Sequence, residues 1–485
     1  MTNMNKIHFC RLLTGGAVAA SLAVLMTGCG IYSSYTRPDD LQVDGLYGDA
    51  GPSAALTVTG AATVADTTSM ADIAWRDFFT DPYLQRLIDS VLARNADMRI
   101  AFLRVEESEA SLKAAKLAFL PSFGLPLSGG LNNSMPLSGG SLTNTDQWSY
   151  TYQLPISASW QVDLFGGLRN AKKQAQAGLL QSQAYRQAVQ TQLIANTAML
   201  YYQLLTLDEQ LNVYILTEQS WAESLEATRA LMEAGVGNTA AVAQSEGAYY
   251  RIQASIPEIK QQIRETENQI CALLGTTPRP IERGPMPAMI FANDLRVGVP
   301  LALLSKRPDV MQAEQNLARA FYVTNAARSA FYPSLSLSGL AGWSNANGVI
   351  PNPGGLIWSA LANLTQPLFQ NGKLRAQLKI AKAQQEEAKI SFQQTLLEAG
   401  IEVNNALALV QTAREKTSLY DKQIASLEVA AESTRLLMEH GSTTYLEVLA
   451  AQQSLLTAQL TALSNRLSEW NAVVTLYRAL GGGRF

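Results

Sequence analysis

Histidine is almost missing from this chain, with only His8 and His440 in 485 residues. Cysteine is as scarce: Cys10, Cys29 and Cys271 are too few for a disulfide framework, and no Cys/His ligand cluster can be assembled from them. Phosphate-binding glycine loops and nucleophile elbows are also lacking. The acid pairs Glu106-Glu107 and Glu386-Glu387 fall on polar helix faces and read as solvated. No catalytic, cofactor-binding or metal site is therefore expected, and the chain reads as a non-enzyme without cofactors. Charge is sparse at 16%, and its small excess is acidic, which excludes a general attraction for nucleic acid. Apolar residues reach 47%, too many for a disordered chain, yet only one run is apolar enough to cross a bilayer as a helix.

That run lies at the N-terminus. Lys6 and Arg11 form a basic start, Leu12 to Met26 an apolar stretch, and Thr27-Gly28-Cys29 a small-residue cleavage site ending in cysteine. Residues 1–28 read as a signal peptide with a lipobox, whose chemistry requires the Cys29 thiol to carry a diacylglycerol thioether before cleavage. Its similarity to bacterial lipoproteins, with Gly30 rather than Asp in the next position, implies delivery to the outer membrane. Cleavage removes two of the 37 basic residues and none of the 40 acidic ones, leaving a net charge of −5. Cys271 remains as a small buried apolar residue.

The mature chain is written twice. Lys116 to Phe123 (KLAFLPSF) returns as Arg328 to Leu335 (RSAFYPSL), and Ala272 to Gly275 returns as Ala479 to Gly481. Each copy runs through a helix, two alternating strands, a very long helix, a glycine turn and a shorter return helix. Residues 29–70, rich in Gly, Ala, Ser and Thr, read as an acylated N-terminus and extended tether. The first copy covers 71–275, with strands at about 119–131 and 148–165, a long helix over 168–234 and a return helix over 238–274. A linker over 276–298 leads to the second copy at 299–481. That copy has a helix at 307–330, strands at about 331–345 and 355–369, a long helix over 373–440 and a return helix over 443–480; a tail follows at 482–485.

The strands carry the membrane signal. Trp148, Tyr150, Tyr152, Leu154, Ile156, Ala158, Trp160 and Val162 alternate with Ser149, Thr151, Gln153, Ser157, Ser159, Gln161 and Asp163. Such a face opposite such a polar one suits lipid outside and water inside. Four strands cannot close a barrel, and an open edge in lipid costs several kcal/mol per unsatisfied group, so the chain must oligomerise. Two copies give eight strands and a filled interior; three give twelve and a passage. From Leu168 to Ala234 there is no proline and one glycine, Gly178, so roughly 67 residues span about 100 Å as one helix. Gly235, Val236, Gly237 and Asn238 break that helix and cap the next.

Several blocks resemble one family. Trp75, Phe79, Asp81, Pro82, Leu84, Leu87, Ile88, Asn95 and Asp97 are similar to the opening motif of the outer membrane efflux proteins, the TolC-type outer-membrane factors. Val299-Pro300, Leu303-Leu304, Arg307-Pro308-Asp309-Val310 and Phe331-Tyr332-Pro333-Ser334 match the family's central motifs. The run from Gly441 through Tyr445-Leu446, Val448-Leu449 and Gln452 to Tyr477, Leu480 and Gly481 matches its end. With the lipoprotein start, the chain resembles the NodT-like branch.

The resemblance implies an α+β membrane protein whose four strands per chain enter a trimeric 12-stranded barrel, continued by a long periplasmic α-helical barrel. It implies a homotrimer in outer-membrane lipid whose tips meet a periplasmic adaptor protein. The adaptor would join an inner-membrane pump of the resistance-nodulation-division type, so that the trimer exports small toxic compounds. A duct for type I protein secretion and a non-conducting structural lipoprotein are the alternatives. Family members often carry an acidic gate residue about a turn into each return helix, and motif alignment puts Ala241 and Ala450 there. Glu447 stands one turn earlier, and Tyr445 and Leu446 offer bulk. The gate is therefore expected on the second tip, at His440, Gly441, Tyr445, Leu446 and Glu447, with adaptor docking on Gly235, Val236, Gly237 and Asn238.

Overall fold

The computed structural model describes residues 33–38, 74–134, 137–138, 141–142, 147–286, 307–345, 354–440 and 442–483; Cys29, Gly441, the signal segment and most of the tether and linker lie outside them. After a short turn of helix, α1 (Trp75–Phe78), come α2 (Pro82–Arg94) and α3 (Ala96–Leu117). The strand segments β1 (Ser122–Gly124), β2 (Ser128–Ser134), β3 (Leu137–Ser138), β4 (Ser141–Leu142) and β5 (Gln147–Val162) lead to α4 (Gly167–Glu233) and α5 (Thr239–Leu274). The second copy is α6 (Pro308–Ser329), β6 (Ser334–Ser344), β7 (Gly355–Thr365), α7 (Lys373–Glu439) and α8 (Tyr445–Ala479).

The duplication is metric as well as sequential: α3 and α6 have 22 residues each, α4 and α7 have 67 each, and α5 and α8 have 36 and 35. Capping sets these boundaries. The Asp81 carboxylate accepts from the Tyr83 amide with Pro82 as the first helical residue, and the Asn95 side chain accepts from Asp97 and Met98 to start α3. Asp163, buried at the end of β5, takes the amides of Leu168 and Arg169 and so starts α4. Gly275 ends α5 at φ +63°, where a side chain would be strained.

The chain divides into two compact units. One, built from Met1–Asp40, Glu106–Gln181 and Ala313–Phe392, holds the sheet; the other, from Leu41–Val105, Ser182–Gln312 and Gln393–Phe485, is helical. In the first, β5 pairs antiparallel with β6 over ten positions, so the hairpins of the two copies fuse into one sheet in the order β1/β2, β5, β6, β7. Phe123, Leu131, Leu154, Ile156, Trp160, Trp343, Leu356, Trp358 and Leu364 share one face, and all are exposed, Trp358 to 77%. Ser157, Ser159, Gln161, Ser336, Ser338 and Asn363 share the other. None of these five strand segments contains a charged residue.

The first strand is not continuous. Alternation predicts one strand over about 119–131, but the chain breaks between β1 and β2, where the Leu127 amide turns back onto the Leu125 carbonyl at 3.0 Å around Pro126. In the register that pairs Gly124 with Ser157 and Ser128 with Gln153, Pro126 falls opposite Pro155, so neither strand has a donor there. On its other side Pro155 meets Gly342, where a Cβ would lie 2.3 Å from the Pro155 Cα. Between β2 and β5, β3 and β4 pair antiparallel, Leu137 with Leu142 and Ser138 with Ser141.

In the helical unit Tyr477 stacks on Phe78 at 4.0 Å and meets Phe79 edge-on, while Tyr201 donates to Asp81 at 2.6 Å. Arg307 is buried; its guanidinium grips Asp309 bidentately, reaches Glu402 at 2.7 Å and donates to the Ala479 carbonyl at 2.6 Å. Burial works against its charge, but these partners outweigh it and hold the pKa above the usual arginine value. Cys271 is buried, with its thiol against the Arg279 carbonyl.

Candidate functional site: the two helix-turn tips

Both tips lie in the helical unit, and the first is a closed Schellman turn. Gly235 sits at φ +76°; its amide returns to Met232 and the Val236 amide to Leu231, and Gly237 adds a third bond onto Leu231. A Cβ on Gly237 would meet the Met232 nitrogen at 2.9 Å, so both glycines are needed to reverse the chain in so few residues. Asn238 then caps α5 by accepting from Ala241 at 2.9 Å. Between turn and cap, Val236 projects with 80% of its surface exposed.

The second tip repeats the plan with different chemistry. The Ser442 amide returns to Leu437 at 2.8 Å, as Val236 does to Leu231, and Thr444 takes the place of Asn238 without a side-chain cap bond. The Glu447 amide instead returns to the Thr444 carbonyl, and the Thr443 hydroxyl pairs with the Glu447 carboxylate. Three residues beyond each cap position stand Ala241 and Glu447, so the structural repeat pairs these two, whereas motif alignment pairs Ala241 with Ala450. The second tip thus keeps one carboxylate in the first turn of its return helix.

The remaining expected residues separate. Leu446 is 57% exposed and His440, the residue after α7, is exposed as well. Tyr445 is half-buried and its hydroxyl faces the buried Ser245 on α5; burial raises its pKa above the usual tyrosine range. Its bulk is therefore shared between α8 and α5 instead of projecting freely.

The cross-links between the tip helices involve residues that alternation does not single out. Arg229 on α4 pairs with Glu226 and with Glu246 on α5. Arg251 on α5 donates to Gln453 on α8 at 2.7 Å, and Gln452 reaches Ser220 and Ser224 on α4. Behind them Trp221, Ala248, Ile252 and Leu456 form a buried cluster. Arg435 pairs within α7, with Glu432 and Glu439. Of these cross-linking residues only Gln452 belongs to a sequence motif.

The profile of the outer membrane efflux protein family matches residues 87–276 and 299–482, one stretch per copy. The cation efflux system protein CusC of Escherichia coli is 29% identical over 470 residues, covering 95% of this chain and 97% of its own. SilC of Salmonella typhimurium, described as an outer membrane lipoprotein, is 29% identical over 421 residues, covering 86% and 89%. The solved outer-membrane channel OprN superposes with a TM-score of 0.82 at 26% identity, covering 93% of this chain and 99% of that one. With both copies matched, the chain belongs to the outer membrane efflux protein family, and its sheet is the outer-membrane part of an efflux channel.

Proposed function

We propose that three copies of this chain close a 12-stranded barrel in the outer membrane and continue it as a periplasmic helical duct, the passive exit path of a tripartite efflux pump. The observation that carries this reading is the sheet itself. Its apolar face is exposed, its opposite face carries Ser157, Ser159, Gln161, Ser336, Ser338 and Asn363 among a few aliphatic residues, and β1/β2 and β7 are left as edges. Only closure with further copies removes edges that lipid cannot satisfy, and twelve strands leave a passage where eight would be filled. The chain supplies no catalysis; energy comes from an inner-membrane pump of the resistance-nodulation-division type, reached through a periplasmic adaptor. Cys29 carries the lipid anchor of the mature protein.

Within the duct, Leu446 and Glu447 of the second tip form the main constriction, with Tyr445 bracing it against α5 and His440 and Gly441 at its turn. The first tip, with Val236 exposed between Gly235 and Gly237 and with Asn238 capping, is the adaptor dock. Deleting the gene should sensitise cells to small toxic compounds while leaving inner-membrane transport unchanged. Unchanged tolerance across every compound class would count against the proposal.

A further inference from the structure

The junctions between strands and helices in the sheet-bearing unit carry charge of one sign. Positions 110–181 and 315–385 hold eleven Lys and Arg, and Asp163 is the only acid there among the described residues. Its carboxylate is committed to the Leu168 and Arg169 amides that start α4. Acids return only farther along the helices, at Glu109, Glu314 and Glu386 and, on α4, at Asp208. In a chain whose net charge is −3, this basic excess is local.

The internal repeat places it twice. Leu168–Lys173 (LRNAKK) returns as Leu374–Lys379 (LRAQLK), so Arg169 and Lys173 correspond to Arg375 and Lys379, four positions apart on one side of each long helix. Lys116 corresponds to Arg328, each next to the last residue of its helix, α3 or α6. All six stand within about two helical turns, or roughly 10 Å of rise, of a helix end that adjoins a strand. Three have partners: Arg169 lies 3.7 Å from Asp163, Lys173 lies 5.4 Å from the ring centre of Tyr322, and Arg328 donates to Asn325 at 2.9 Å. Lys116, Arg375 and Lys379 are exposed and hold no hydrogen bond or ion pair among the described residues. Exposed apolar side chains adjoin them. Leu117 and Leu120 follow Lys116, and Leu368 and Phe369, 92% and 84% exposed, precede Arg375. Long basic side chains beside such residues can lay their stems on apolar surface and extend their charge into a polar layer.

We propose that these six residues form a belt that binds the phosphate groups of anionic phospholipids in the periplasmic leaflet of the outer membrane. The exposed apolar face of the sheet stands in the hydrocarbon, and the belt lies where the strands give way to helices, at the depth of the headgroups. Attraction to an anionic leaflet accumulates over each basic residue near it and fades within a Debye length of about 8–10 Å. Glu386, about 20 Å along α7 from Lys373, lies beyond that range and does not cancel it. The belt rests on the strands standing in a bilayer; its preference for charged headgroups is a separate property.

Electron spin resonance of purified trimers in phosphatidylcholine vesicles tests it, with spin-labelled phosphatidylglycerol or spin-labelled phosphatidylcholine as the probe. The protein should immobilise the phosphatidylglycerol label about threefold more strongly than the phosphatidylcholine label, and added salt should reduce the difference. Lys116→Gln combined with Arg375→Gln and Lys379→Gln should bring the two labels close to equal while SDS-resistant trimers persist. Lys260→Gln with Arg264→Gln, exposed positions on α5 in the helical unit, should leave the preference unchanged. Equal immobilisation of both labels by the unaltered protein, or an unchanged preference in the triple variant, would overturn the belt. Displacement of the label by inorganic phosphate beyond that by chloride at equal ionic strength would make this a site for soluble phosphate and overturn the lipid assignment. If neither label were immobilised, the strands would not be in the bilayer, and the barrel reading would fall together with the belt.

Discussion

Arg307 donates to the carbonyl of Ala479, joining the first residues of the second copy to the last turn of its return helix across 172 positions. The same guanidinium neutralises Asp309 and Glu402, and Glu402 is shared with Arg478. Removing the buried guanidinium leaves Asp309 without its bidentate partner, Glu402 with Arg478 alone and the Ala479 carbonyl without its donor, a loss of about 1–3 kcal/mol. Arg307→Met should therefore lower the urea midpoint of the trimer steeply, and Arg307→Lys should recover only part of it, because an ammonium cannot hold three acceptors in one plane. A neutral effect of Arg307→Met would show that this junction is not a main support of the helical unit.

Acid should weaken the same junction. Burial raises the Asp309 carboxyl, but Arg307 and the Val310 amide outweigh it and hold the group below its ordinary value of 3.8. A depressed carboxyl binds its proton less readily in the folded state, so its stabilisation is complete above the ordinary value and is lost as the pH falls through the lower folded value. The contribution should be flat from pH 7 to about 5 and fall away below about 4. In Asp309→Asn it should be missing at pH 7, and that part of the acid slope should disappear; an unchanged slope would assign the acid sensitivity elsewhere.

At Gly342 the strands of the two copies lie too close to admit a side chain. A methyl group there would sit 2.3 Å from the Leu154 oxygen and from the Pro155 Cα, both backbone atoms that cannot swing aside. Overpacking of this kind costs about 1–3 kcal/mol or more, and here it acts on the β5–β6 junction. Gly342→Ala should reduce the yield of heat-resistant trimers far more than Gly339→Ala, where the nearest backbone atom is 3.7 Å away. Equal yields would contradict the fused-sheet register.

At the first tip, Asn238→Ala removes a cap bond and should cost about 1 kcal/mol locally. Faster hydrogen exchange at the Ala241 amide is the direct readout. Gly235→Ala should do the same to the turn before it, because only glycine takes φ +76° without strain. No change at either position would mean that the tip is held from outside the chain.

Much of the fold was legible because its signals are long. Period-two alternation from Trp148 to Val162, two proline-free stretches of equal length and glycines at both turns place the strands, the long helices and the tips within a few residues of where they lie. What escaped depends on pairing across the chain. The break at Pro126 is invisible to alternation, because Leu125 and Leu127 stay in phase across it; only the position of Pro155 on the facing strand makes it a shared gap. At the tips, the turn residues could be read from glycine and asparagine chemistry, but Arg229, Glu246, Arg251 and Gln453 are ordinary polar residues whose partners lie on other helices. The pairing of Glu447 with Ala241 likewise needed the backbone turns as its reference, since motif spacing places Ala450 there.

Single-channel conductance of the purified trimer in a planar bilayer tests the central claim most directly. The unaltered protein should show a small or intermittent conductance, and widening the second tip by Tyr445→Ala with Leu446→Ala should give a several-fold larger, persistent one. Silence in both proteins, with intact SDS-resistant trimers inserted in the bilayer, would contradict it.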